Sequence, residues 1–129
     1  MSRADLVLIP TQAKTADADV PTRAIKLLRT QESLFKRSIS HAIVFIRTSP
    51  IIVTREEKEI RNNIEAAGIP RFTSSLNERT AFSHMFAYKS ALGELNAKDT
   101  NGLEAAQMNA VEMTAEMIQL LRKQVVNAA

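Results

Sequence analysis

Asp5-Leu6-Val7-Leu8-Ile9-Pro10 is the stretch whose reading decides the fold. It is an unbroken apolar run closed by proline. Such a run reads as a strand buried on both faces, the usual state inside a parallel sheet. His41-Ala42-Ile43-Val44-Phe45-Ile46 is a second run of this kind. Arg71-Phe72-Thr73-Ser74, after Pro70, is a weaker third that ends near Ser75. Helical patterns lie between them. Strands alternating with helices predict βαβ units, and so an α/β fold in three layers, a parallel sheet with flanking helices. Ligands of open parallel sheets sit at the carboxyl ends of the strands. The loops starting at Pro10, Arg47 and Ser75 are therefore where a site is expected.

The helices have legible punctuation. Asp17 or Asp19 can cap the first, and Pro21 fits its first turn. Val20, Ala24, Leu27, Leu28, Gln31 and Phe35 fall at helical spacing and predict its buried stripe. Arg23, Lys26, Arg29, Lys36 and Arg37 lie opposite, and the helix should run to about Arg37. Thr54-Arg55-Glu56-Glu57 reads as a capping box, with Thr54 capping forward and Glu57 reaching back. Ile60, Ile64 and Ala67 give the second helix its stripe, Gly68 supplies a left-handed stop, and Pro70 follows. Its length suits a right-handed crossover. Asn77 is the expected cap of a third helix in which Phe82, Met85, Phe86 and Lys89 repeat, breaking near Gly93. Asn96 to Gly102 is a polar linker. A last helix spans about Leu103 to Val126, with Ala106, Ala110, Met113, Met117 and Leu120/Leu121 packing across one face of the sheet.

Composition narrows the chemistry. The chain has 129 residues, enough for one α/β domain over 1–129. It has no cysteine, which excludes disulfides, thiolate metal sites and a cysteine nucleophile. No apolar run reaches the roughly 20 residues of a membrane helix, and a cytoplasmic location is the expectation. A net charge of +3 is compatible with nucleic-acid contact without requiring it. The three glycines, Gly68, Gly93 and Gly102, are far apart. Neither a P-loop nor a dinucleotide fingerprint can be built from them, because close backbone approach to phosphates needs clustered glycine. His41 and His84 are distant in sequence and predict no metal site. Ser74-Ser75 has no evident base, so no catalytic residue is assigned. The basic face of the first helix is read first as a solvated amphipathic face, and second as a surface for nucleic-acid phosphates.

The order of these pieces resembles the later half of ParA/MinD-type partition ATPases. Asp5-Leu-Val-Leu-Ile-Pro-Thr-Gln12 is similar to a family strand that follows the catalytic Walker B strand. A second hydrophobic strand ending in a polar residue comes next, here His41 to Arg47. Ile69-Pro-Arg-Phe-Thr-Ser-Ser-Leu76 is similar to the family's following short strand. Asn77-Glu-Arg-Thr-Ala-Phe82 and the alanine- and methionine-rich closing helix resemble the VirC-like branch, which acts in plasmid partition and conjugative DNA transfer. No single motif is diagnostic; the specificity lies in their order.

The resemblance implies the C-terminal part of a ParA-like ATPase domain, a partial P-loop NTPase fold. The phosphate-binding half would lie upstream of Met1. ATP and Mg²⁺ would then be held only when an N-terminal half completes the site. The expected base pocket is Pro10, Arg47, Ser75, Leu76 and Asn77; the family often has asparagine where Arg47 stands. Lys36, Arg37 and Arg79 are the implied non-specific DNA contacts. The implied partners are a second copy, or an N-terminal half or full-length ATPase. The Leu6–Ile9 strand would be an exposed edge, prone to pairing, with marginal stability or self-association as the result. The alternative expectation is a non-enzymatic α/β interaction module that pairs with a full-length ATPase. An unrelated flavodoxin-like domain is a third, although Thr11-Gln12-Ala13-Lys14-Thr15 offers it no glycine.

Overall fold

The computed structural model describes residues 4–15 and 19–128. The elements are β1 (Val7–Gln12), α1 (Val20–Phe35), β2 (His41–Thr48), α2 (Arg55–Ala66), β3 (Leu76–Asn77), α3 (Thr80–Ala87) and α4 (Leu103–Ala128), with a 3₁₀ turn at Leu92–Glu94 before α4. The strands form one parallel sheet in the order β1-β2-β3, with Val7 opposite His41 and Gln12 opposite Ile46. Helices lie on both faces. The expected three-layer α/β architecture is what forms, consistent with part of a P-loop NTPase fold.

Both faces of β2 are buried, because it is the central strand. Ile43 and Phe45 face a core built with Ile9 of β1, Ile25 and Leu28 of α1, and Ile60 and Ile64 of α2. Ala42 and Val44 face the other way, onto Phe72, with Met113, Met117 and Leu120 of α4 packed against them. A smaller cluster of Ala81, Leu103 and Ala106 ties α3 to α4. Of the inward stripe expected for the last helix, Ala106, Met113, Met117 and Leu120 pack inward, whereas Ala110 lines an open groove.

The first strand differs from its reading. It is not buried on both faces, since of Leu6 to Ile9 only Ile9 is buried, and it stands at the edge of the sheet, as the family resemblance implies. An apolar run alone does not distinguish a central strand from an edge strand covered by helices. Pro10 fits the edge. The Val7 N–H donates to the Ser40 carbonyl, so alternation turns the nitrogens of Val7, Ile9 and Thr11 toward β2. The Pro10 nitrogen, which has no hydrogen to give, falls on the open side.

The third strand is also displaced. Arg71 makes an isolated bridge to Ile43, with the Phe72 N–H donating to the Ile43 carbonyl at 2.8 Å, but regular pairing resumes only at Leu76–Asn77. In between, Glu116 of α4 takes the backbone N–H groups of Thr73 and Ser74. Those donors leave the ladder and the strand splits.

Three helix readings need correction. α1 buries Pro21, Ile25 and Leu28, whereas Leu27 and Phe35 are exposed. The stripe is rotated because α1 packs beside α2, where Ile25 fits and Leu27 does not. Asp19 stands at the N-cap position but makes no capping bond; it pairs with Arg23 at 3.3 Å. Asp17 lies outside the described residues. Thr54 does cap α2, accepting from the Glu57 N–H at 3.1 Å, but the Glu57 carboxylate turns instead to Arg61. Asn77 does not cap α3. It is part of β3, its side chain donates to Thr48, and Arg79 holds the N-cap position. α3 then ends at Ala87, with Phe86 and Lys89 exposed. Gly68 behaves as read, at φ +70° just past α2.

Candidate functional site

A cavity of about 220 Å³ opens at the carboxyl ends of β1 and β2. Ala13 and Lys14 come from the loop after β1. Arg47, Thr48, Ser49 and Ile52 come from the end of β2 and its loop. Thr54, Glu56 and Glu57 come from the start of α2, and Glu78 from the residue after β3. This is the end of the sheet where the topology of open parallel sheets puts ligands.

Arg47 gives the cavity its shape. Its backbone has φ +54°, the left-handed region that residues with a side chain seldom occupy. Ile46 pairs with Leu76 and Thr48 with Asn77, so three residues of β2 span two of β3. The left-handed residue is the extra one of a bulge, a device that re-aims a side chain. The Arg47 side chain emerges exposed on the cavity wall. Such a backbone costs about 1–3 kcal/mol and persists only where the surroundings impose it. Here Thr48, buried, accepts from the Asn77 side chain at 2.9 Å, and its carbonyl accepts from the Glu78 N–H at 2.9 Å.

The acids around the cavity are largely engaged. The Glu56 carboxylate accepts from the Thr15 N–H, which ties the β1 loop to α2. Hydrogen bonding to Thr15, aided by the charge of Lys14, holds its carboxyl below the ordinary 4.5. Glu57 is buried 3.7 Å from Arg61. The Arg61 guanidinium lies 4.6 Å from the centre of the Phe45 ring and donates to Ser75 at 2.7 Å. Sequence reasoning missed this arginine, as nothing local marks it.

The five expected pocket residues are only partly brought together. Arg47 lines the cavity. Asn77 is one hydrogen bond from it, through Thr48. Ser75 and Leu76 are held away. The Ser75 hydroxyl faces Arg61, its carbonyl accepts from Asn109 at 2.7 Å, and Leu76 pairs with Ile46. Pro10 sits inside β1 opposite Val44, short of the loop. Lys14, Glu56 and Glu78 are the lining groups the sequence reading left out.

The three expected DNA contacts do not form one patch. Lys36, at φ +50°, and Arg37 follow α1 at the amino end of β2, where Arg37 donates to the Ala4 carbonyl at 3.0 Å. Arg79 lies at the carboxyl end, 3.3 Å from Asn77. The eight residues of β2 separate the two groups, at about 3.3 Å each.

No group of three potential metal ligands occurs among the described residues. His84 instead contacts Thr100 at 3.0 Å and the edge of Tyr88, and His41 contacts the Ile39 carbonyl. No helix among the described residues is long and apolar enough to cross a membrane.

The backbone of the β3 segment is positioned by α4. Asn109 grips Ser75 and Asn77, and Glu116 grips Thr73 and Ser74, whose hydroxyl also donates to it at 2.6 Å. Burial raises the Glu116 carboxyl and is the largest single influence, but the bonds from Ser74 and Thr73 together outweigh it and leave it below 4.5. A lowered carboxyl stabilises the fold above its unfolded value, and that contribution is lost as pH falls through the folded value. Stability should therefore drop as pH falls below about 4.5. Glu116→Gln should flatten this part of the profile in urea melts at stepped pH. An unchanged slope would show that the carboxylate is not held as described.

A parallel sheet with helices on both faces and a cavity at its carboxyl edge defines the class, an α/β domain consistent with part of a P-loop NTPase. Within that class the chain is similar to the protein ParA of Rhizobium radiobacter, with 32% identity over 125 residues. The match covers 95% of this chain and 56% of that protein, so the chain spans little more than half the length of this relative. The chain is ParA-like along nearly its whole length, consistent with the C-terminal part of a ParA-type protein. No protein-family model matches it.

Proposed function

We propose that this chain is a segment of a ParA-type partition ATPase and serves DNA partition by supplying the base side of the nucleotide pocket. Arg47, on its left-handed bulge at the carboxyl edge of the sheet, is the observation that carries the reading. The cavity offers Ile52 and Ala13 as apolar wall and Thr48, Lys14 and Glu78 as polar rim. That combination suits a planar heterocycle with hydrogen-bonding edges. The 129 residues hold no glycine-rich loop for phosphates. Phosphates and Mg²⁺ would be held by an N-terminal half, and the chain alone would not hydrolyse ATP. Plasmid or chromosome partition is the leading setting and conjugative transfer the second. Non-specific DNA contact would run through Arg79 near the cavity or through Lys36 and Arg37 at the far end.

Adenosine titrated into labelled protein should shift the amide resonances of Lys14, Arg47, Thr48 and Glu78, and Arg47→Ala should weaken that response. Shifts confined to the amino end of the sheet, or none at millimolar adenosine, would overturn the assignment. A second reading, an interaction module pairing with a full-length ATPase, draws on the loop beside the cavity, where Ile51 is 88% exposed and Ile52 65%.

A further inference from the structure

Arg47 and Glu78 line the same cavity with opposite charges, yet no ion pair joins them among the described residues. Both backbones are pinned, Arg47 by the bulge and Glu78 through its N–H on the Thr48 carbonyl at 2.9 Å. The other polar groups of the wall are mostly engaged. Glu56 and Glu57 are turned to Thr15 and Arg61. Thr48 accepts from Asn77, and Ser49 from the N–H groups of Ile51 and Ile52. Thr54 caps α2. This leaves Arg47, Glu78 and the Lys14 ammonium to read a ligand. At about 220 Å³ the cavity is smaller than the roughly 300–1,000 Å³ of sites that enclose a whole small-molecule ligand. It suits a base alone, with sugar and phosphate left outside.

We propose that this cavity selects guanine over adenine, an inference that rests on reading it as the base side of a nucleotide site. Arg47 has only N–H groups to offer, and guanine presents two acceptors, O6 and N7, along one edge. Adenine sets its amino group, a donor, beside N7 on that edge. One arm of the Arg47 fork still reaches N7, but the other meets a donor. Glu78, when ionised, has only acceptors. The adjoining edge of guanine carries two donors, its ring N–H and its 2-amino group. Adenine has an acceptor nitrogen there, which the carboxylate repels. Guanine therefore satisfies both residues at once, and adenine mismatches both. Ala13 and Ile52 give either ring the same apolar wall, so adenine still enters and is held more weakly.

GMP and AMP carry the same sugar and phosphate, so the difference between them isolates the base. Titrated into the labelled chain, both should shift the amide resonances of Arg47, Thr48 and Glu78. GMP should bind about fivefold or more tightly, the lower range for one two-point base contact. Arg47→Asn is the decisive variant. Asparagine tolerates the left-handed backbone at this position and pairs with the amino group and N7 of adenine. The fold should therefore stand while the preference turns toward AMP. Glu78→Gln should reduce the GMP preference. AMP bound as tightly as GMP, or a GMP preference untouched by either variant, would overturn the guanine assignment and leave the base-side reading standing. No shift from either nucleotide at millimolar concentration, or shifts confined to the amino end of the sheet, would overturn both.

Discussion

Phe45→Ala is expected to cost about 4 kcal/mol, the range for emptying a buried phenylalanine site. Phe45 is fully buried in the larger core, between the helices of one face and the centre of the sheet. Its ring also carries the Arg61 guanidinium, a contact worth about 0.5–1 kcal/mol or more when shielded from water. Losing the ring leaves a cavity at the strand that both helices pack against, and it loosens an arginine that holds Ser75 and Glu57. Since whole domains have only about 5–15 kcal/mol of stability, this variant should melt at a far lower urea concentration. Phe45→Leu, which refills most of the space, should recover much of the loss. A Phe45→Ala cost under about 1 kcal/mol would mean that the core is not packed on this residue.

Asn109→Ala should cost about 2–3 kcal/mol, because it strands two backbone groups at once. The Asn109 side chain is buried, accepts from the Asn77 N–H at 2.9 Å and donates to the Ser75 carbonyl at 2.7 Å. It acts as an extra strand for the two-residue β3. Asn109→Asp keeps the acceptor for Asn77 but aims a carboxylate at the Ser75 carbonyl, so it should be at least as damaging. The amide of Asn77 should lose hydrogen-exchange protection in both variants. A cost for Asn109→Ala within about 0.5 kcal/mol, the scatter of ordinary surface changes, would contradict this role.

The parts legible in the sequence were those fixed by local pattern. β2 was legible because four consecutive apolar residues, Ala42 to Phe45, are buried on alternating faces. α2 was legible through Thr54 at its start and Gly68 at its end, and α4 through its inward stripe. What stayed hidden depended on distant partners. β3 is short because a carboxylate 42 residues away takes the N–H and hydroxyl of Ser74. β1 has the composition of a central strand, and only the family resemblance marked it as an edge. At the site, a polar residue ending β2 was readable, and so was the end of the sheet that bears the cavity. The left-handed bulge at Arg47 was not, because it arises from pairing between β2 and β3 and leaves no mark in the residues themselves. Lys14, Glu56 and Glu78 reach the cavity only once three loops converge.

We propose that this chain holds the base side of a nucleotide site and lacks what holds the phosphates. Titration calorimetry of the purified chain with ATP, with and without Mg²⁺, tests it most directly. No Mg²⁺-dependent binding is expected, and for ATP at most the weak heat of binding its adenine and ribose. Micromolar, Mg²⁺-dependent binding would mean that residues of this chain cradle the phosphates, and the half-site account would be wrong.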